Sequence, residues 1–123
     1  MTLATTLIII GRIIFGGFFL IAGIRNFMHF AERCDLATNF GWKLPPPLTA
    51  AGFAVQLLGG LSLIFGFWTA IGALALIAFL IPATSLFHNV MMFRGKERDP
   101  HLYLTLVNTT LVGGLLLVIA TAI

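Results

Sequence analysis

Apolar residues run along this chain in four long blocks, each interrupted by isolated polar positions and separated by shorter stretches where charge and proline gather. The blocks extend from about Leu3 to Ile24, Leu48 to Trp68, Ile71 to Met92 and Leu102 to Ile123. Each holds roughly 20 mostly apolar residues, enough for a helix to cross hydrocarbon while satisfying its own backbone hydrogen bonds. The pattern predicts an all-α integral membrane four-helix bundle, one domain over residues 1–123. The first block lacks a basic leader, contains Arg12 where a cleavable signal needs an unbroken apolar run, and is too long, so it is expected to remain in the mature protein. The second and third blocks meet at Phe67-Trp68-Thr69-Ala70-Ile71-Gly72, which predicts a tight antiparallel hairpin.

The connection from Arg25 to Pro47 has a pattern of its own. Phe27, Phe30, Ala31 and Cys34 recur at i, i+3, i+4, i+7, with Glu32, Arg33 and Asp35 opposite. That spacing predicts a short interfacial amphipathic helix between helices 1 and 2, with an irregular loop as the alternative. Trp42 belongs at headgroup depth, and Pro45-Pro46-Pro47 makes a stiff entry ending in the first turn of the next span.

Composition narrows the class. The chain is 59% hydrophobic and 9% charged, against roughly 25% charged in a soluble domain, so the apolar excess must face lipid or other helices. Cys34 is the single cysteine, which excludes an internal disulfide. A net charge of +3 raises the question of nucleic acid, but seven Lys and Arg spread over short connections form no basic stripe, and no nucleic-acid partner is expected. Six of the seven, Arg25, Arg33, Lys43, Arg94, Lys96 and Arg98, lie in the two longer connections, which four spans place on one side. The positive-inside rule then puts those connections in the cytoplasm and both termini outside a bacterial-type inner membrane.

Each span carries one notable polar residue: Arg12, Gln56, His88 and Asn108. Intramembrane polar groups are costly and mark functional or structural contacts. Arg12 shares a face with Gly16, Phe19 and Gly23; it either snorkels to the near interface or is a buried cation that holds a headgroup or counter-ion. Gln56 lies on a stripe with Gly52, Gly59 and Gly66, beside Gly60, which reads as a helix-packing seam with an interhelical hydrogen bond. His88 follows Thr84 and Ser85 near the charged end of span three, with Pro82 in the preceding turn; it is a satisfied interfacial histidine or a proton relay. His101, Thr105 and Asn108 line one face of span four ahead of Gly113-Gly114, and Asn108 reads first as helix glue. No metal motif, nucleophile elbow or dinucleotide fingerprint is present, and Glu32, Asp35, Glu97 and Asp99 all fall in connections. Haem or chlorophyll ligation by His29, His88 or His101 has no spacing that specifies it.

The ordered set Arg12-x3-Gly16-x2-Phe19-x3-Gly23, Gln56-x2-Gly59-Gly60, Phe65-Gly66-Phe67-x-Thr69, Leu86-Phe87-His88 and Asn108-x4-Gly113-Gly114 resembles the DoxX family. The resemblance implies a four-helix inner-membrane protein. Some relatives form the membrane part of thiosulfate:quinone oxidoreductase, others take part in redox-enzyme maturation or membrane oxidoreductase assemblies. The sequence departs from the family pattern at Gln56, commonly glutamate, and at Asn26, where relatives have a lysine just after the first span. Relatives also often have a basic residue in the second hairpin turn, where this chain has Ala70, and a basic tail after span four.

Three functions follow as expectations. The first is a non-catalytic accessory subunit that packs against other transmembrane subunits of a larger membrane redox or energy-converting complex, electron-transport or photosynthetic, and stabilises it or shapes quinone access. The second is a quinone-binding component of a DoxX/DoxD-type oxidoreductase, with Arg12, Gln56, His88 and Asn108 as donors in an apolar slot. The third is binding or passage of a small solute. No intrinsic cofactor or catalytic residue is expected, and the candidate occupants of the polar positions are quinone and lipid.

Overall fold

The computed structural model describes residues 1–123. Helix α1 runs from Leu3–Met28, α2 from Phe30–Cys34, α3 from Pro46–Phe65, α4 from Thr69–Phe87 and α5 from Arg98–Ala122. Single 3-10 turns at Val90–Met92 and Gly95–Glu97 link α4 to α5. The four long helices are each long and apolar enough to cross a membrane. No strand forms beyond one isolated bridge between Ala37 and Lys43.

α3 is the central helix. It packs on α1 along one side and on α4 along another, α4 packs on α5, and α5 returns to α1. Two adjacent glycines make this double contact possible. A Cβ on Gly60 would lie 2.7 Å from the Gly16 carbonyl oxygen of α1, and a Cβ on Gly59 would fall 2.6 Å from the Leu76 side chain of α4. Backbone can approach so closely only where no side chain intervenes. Gly16 and Gly23 face α3, Gly52 faces Phe79, and Gly114 receives the Phe15 ring, which closes α1 against α5. Phe19, Leu63, Leu76 and Leu115 fill the middle and are fully buried.

Two glycines lie elsewhere than the packing seam expected from the sequence. Gly113 faces open space, and Gly66 is no longer helical: at φ 68° it is the left-handed cap that ends α3. The hairpin is tighter than the sequence suggests, because only Gly66, Phe67 and Trp68 join the helices. The Ser62 hydroxyl lies 2.5 Å from the Phe67 carbonyl oxygen and 3.0 Å from that of Trp68, so one proton is shared over two turn carbonyls.

The helix ends differ from hydropathy alone for local reasons. α3 starts at Pro46, two residues early, because proline without an N–H suits the first helical turn. α5 starts at Arg98, four residues early, for the same reason: Pro100 falls in its first turn, where Asp99 also complements the helix dipole. α4 was expected to continue to Met92 and stops at Phe87. Continuation would pair the Asn89 and Val90 N–H groups with the Ser85 and Leu86 carbonyls. Asn39 diverts both, since its N–H donates to the Leu86 oxygen at 2.7 Å and its Oδ1 accepts from the Asn89 N–H at 2.9 Å.

The amphipathic segment after span one is shorter than its periodicity predicts. α1 continues through Phe27, breaks at His29, and only Phe30–Cys34 forms the interfacial helix. Phe27 and Phe30 pack on Phe53 of α3 with ring centroids 5.7 and 6.2 Å away. Beyond it the chain turns back on itself, with the Thr38 N–H donating to the Trp42 carbonyl at 2.7 Å and Lys43 bonding Asp35 at 2.9 Å.

Candidate functional site

The four polar positions occupy three separate places. Arg12 stands at the hairpin end. From Pro46–Phe65, α3 rises about 30 Å, the full hydrocarbon thickness. Arg12 lies against Gly66, just past the end of α3: a Cβ on Gly66 would fall within 2.8 to 2.9 Å of the guanidinium atoms. The arginine is therefore at the edge of the apolar layer, because α1 overhangs the hairpin by about two turns. The carbonyl end of α3 favours a cation there, yet Arg12 Nε is buried and has no hydrogen-bond partner. A recess of about 410 Å³ opens between Arg12, the hairpin and the last turn of α5.

Gln56 lies in the middle of α3, 6% exposed. Its Oε1 accepts from Asn26 Nδ2 of α1 at 2.7 Å, and Asn26 Oδ1 accepts from Arg33 Nε of α2 at 3.0 Å. A line of three side chains thus runs from the helix interface to the charged connection. Each amide uses its carbonyl as acceptor toward the more exposed side, and the cation terminates the line where water can reach it.

His88 and Asn108 belong to the α4–α5 seam. Asn108 Nδ2 donates to Thr84 Oγ1 at 2.9 Å. One turn closer to the charged connections, the Thr105 hydroxyl lies 2.8 Å from both the His88 and the His101 carbonyl oxygens. His88 caps the end of α4, and its Nδ1 stands 3.1 Å from Nδ1 of His101, so one ring donates and the other accepts. Phe93 stacks on His101 with centroids 3.8 Å apart and planes 9° from parallel.

Neither Gln56, His88 nor Asn108 borders the Arg12 recess or the apolar groove of about 750 Å³ between α3 and α4 at the same end. Aromatic residues mark both ends of the bundle: Trp42 stands on the charged side, and Trp68 stacks on Phe67 at the hairpin, centroids 4.8 Å apart. These are the depths at which tryptophan anchors membrane helices.

A protein-family model described as DoxX matches residues 7–89, about two thirds of the chain. The chain belongs to the DoxX family. It is a multi-pass membrane protein whose apolar helices contact lipid. The match takes in α1 to α4 and ends before α5, so Asn108, Gly113 and Gly114 lie outside it. No curated protein and no solved structure matches the chain.

The two positions at which the sequence departs from the DoxX resemblance, Gln56 and Asn26, meet in one contact. The side chains bond each other at 2.7 Å, so where relatives commonly carry a glutamate and a lysine, this DoxX protein has a neutral amide pair. Position 26 is legible in the sequence only through that pattern. Helical spacing already places Thr84 beside His88 and His101 on the face of Asn108, and the structure joins both pairs across the α4–α5 seam. Asn39 and Arg33 carried no such signal: they come from the connection, and their partners follow from how the loop folds back.

Proposed function

We propose that this DoxX protein is a non-catalytic accessory subunit of a larger membrane redox or energy-converting complex. The observation that carries the reading is the Gln56–Asn26 pair: the most buried polar contact between spans holds two amides that neither gain nor lose a proton near neutral pH. At the α4–α5 seam the polar groups are also committed to each other, Thr84 to Asn108 and His88 to His101. Meanwhile the surface is open to partners. α5 buries only Leu115 in 25 residues, and Leu104, Leu106, Leu116 and Leu117 are exposed along it. Packing against other transmembrane helices would use such faces.

A quinone slot shared by Arg12, Gln56, His88 and Asn108 is disfavoured, because Gln56, His88 and Asn108 each hydrogen-bond to another side chain of the protein, at two different seams, and Arg12 stands apart at the hairpin. Passage through the bundle is disfavoured by Phe19, Leu63, Leu76 and Leu115, which fill its centre. In our reading the end that carries Arg25, Arg33, Lys43, Arg94, Lys96 and Arg98 faces the cytoplasm, with the hairpin and both termini outside an inner membrane.

The test is gentle solubilisation of native membranes and purification through a tag on this chain at native expression. Stoichiometric recovery of a redox or energy-converting complex is expected. Recovery of the chain alone, or with bound quinone and one soluble oxidoreductase, would refute the accessory role.

A further inference from the structure

The hairpin end holds the one interior cation without a protein acceptor, and it holds it beside free hydrogen-bond donors. The recess is bordered by Arg12, Gly66, Trp68, Thr69, Ala70 and Ile71. Thr69, Ala70 and Ile71 form the first turn of the 19-residue α4, whose N-terminal N–H groups have no intrahelical partner and no side-chain cap. Arg12 Nε is wholly buried and unpaired. Both ion pairs of the molecule, and all four carboxylate side chains, lie at the opposite end. The last turn of α5 also borders the recess, and the Thr121 hydroxyl there is already used on the Val118 carbonyl. The positive charge of Arg12 and the positive end of α4 therefore converge on a space that contains no negative side chain.

The same wall continues into an apolar surface. Trp68 and Ile71 border both the recess and the groove between α3 and α4, which is lined by Val55, Leu58, Gly59 and Ala75 further down. Gly59 and Gly72 also border the groove, which lies beside the α3–α4 seam at the level of the apolar helices. A polar pocket at the edge of the membrane, joined past a tryptophan to an apolar trough, fits a phosphate headgroup and its acyl chain.

We propose that the hairpin end binds an anionic phospholipid, its phosphate held by Arg12 and the α4 N-terminal N–H groups and one acyl chain laid in the α3–α4 groove. Phosphate at a helix N-terminus needs only the free N–H groups and the dipole. Arg12 adds a charge-assisted contact that a zwitterionic headgroup would partly cancel with its own ammonium charge. The site is independent of which complex the chain joins.

Trp68 reports directly on this site. The chain has two tryptophans, so Trp42→Phe leaves Trp68 as the sole emitter. The full-length protein carrying this change is reconstituted in phosphatidylcholine vesicles with a small fraction of brominated phosphatidylglycerol, or the same fraction of brominated phosphatidylcholine. The expected result is a preference of about fivefold for the brominated anionic lipid in quenching Trp68, the factor that one basic residue beside an anionic lipid provides. Arg12→Gln should abolish the preference, Arg12→Lys should retain part of it, and Arg94→Gln at the other end should leave it unchanged. Excess inorganic phosphate distinguishes the source of the anion: no effect supports the lipid, whereas loss of the preference would make free phosphate the occupant and overturn the proposal. Equal quenching by the two lipids in the parent protein would also overturn it, and would mean that the carbonyl ends of α3 and α5 suffice for Arg12. Retained helical circular dichroism in the Arg12→Gln protein separates loss of the site from loss of the fold.

Discussion

Gln56→Glu restores to α3 the residue type common in the family and should destabilise this protein. The side chain is 6% exposed and Asn26 gives it a single donor at 2.7 Å. A carboxylate there keeps that hydrogen bond but loses the amide donor of the second atom and gains a charge with no adjacent cation. Arg33 is one side chain away and bonds the far oxygen of Asn26. An uncompensated buried charge costs about 3–5 kcal/mol. Asn26→Lys in the same chain would place an ammonium near the present Nδ2, and opposite charges about 4 Å apart attract by about 4 kcal/mol at the effective dielectric of a protein. Arg33 would then be released to water. The double variant should therefore recover most of what Gln56→Glu loses, a coupling of about 2–3 kcal/mol in a double-mutant cycle. Asn26→Ala removes the donor to Gln56 Oε1 and the acceptor of Arg33 Nε, and the buried glutamine oxygen left unpaired should cost about 1–3 kcal/mol. Reversible unfolding in mixed micelles, followed by circular dichroism, measures the parent, both single variants and the double variant of the cycle, and Asn26→Ala. If Gln56→Glu were as stable as the parent, or if the lysine restored nothing, the two positions would not form the shared buried contact on which this reasoning rests.

Three further outcomes follow from local geometry. Gly60→Ala would push a methyl group into the Gly16 carbonyl and the Leu20 backbone of α1, an overpacking cost of about 1–3 kcal/mol; Gly113→Ala, in open space, should instead stabilise by up to about 1 kcal/mol through helix propensity, both read in the same unfolding assay. Asn39→Ala removes the acceptor of the Asn89 N–H, and amide exchange there should rise while that at Leu76 in the core of α4 stays slow. The Asp35 carboxyl is held below its ordinary value of 3.8 by its hydrogen bond to Lys43. A carboxyl depressed in this way contributes above its unfolded value and loses that contribution as pH falls through the lower folded one. Trp42 emission, isolated by Trp68→Phe, should report loosening of the 35–43 turn below pH 3.8, and Asp35→Asn should show the loose state at every pH.

Periodicity made the membrane helices legible because lipid admits little else: a run of about 20 apolar residues has one stable backbone solution. It also assigned faces. Gly16 and Gly23 share the α3-facing side of α1, and Gln56 is buried on α3 as a residue among glycines should be. What periodicity lacks is depth and partner. Arg12 reads as an intramembrane charge when counted from Leu3, but the level of the membrane edge is set by where α3 ends, a fact about a different helix. His88 reads as intrahelical because hydropathy continues to Met92, while the helix ends where Asn39, fifty residues earlier than Asn89, takes over its hydrogen bonds. The expected single polar layer separates into three sites for the same reason.

The distribution of satisfied and unsatisfied groups then says more than the list of polar residues. On the charged side the chain completes its own contacts: Arg33 ends the Asn26–Gln56 line, Asn39 closes α4, and Lys43 answers Asp35. The Asn26–Gln56 contact among them helps specify the fold, since a buried polar group left unpaired costs more than its bond returns. At the hairpin the accounting stays open, with Arg12 Nε unpaired above the uncapped start of α4. A chain that satisfies every buried amide elsewhere had a cheap alternative at position 12, because any apolar residue would continue the face of Gly16 and Phe19. An arginine there is best accounted for by a partner from outside the chain, which makes the hairpin end, more than the interior, the place where this protein meets its surroundings.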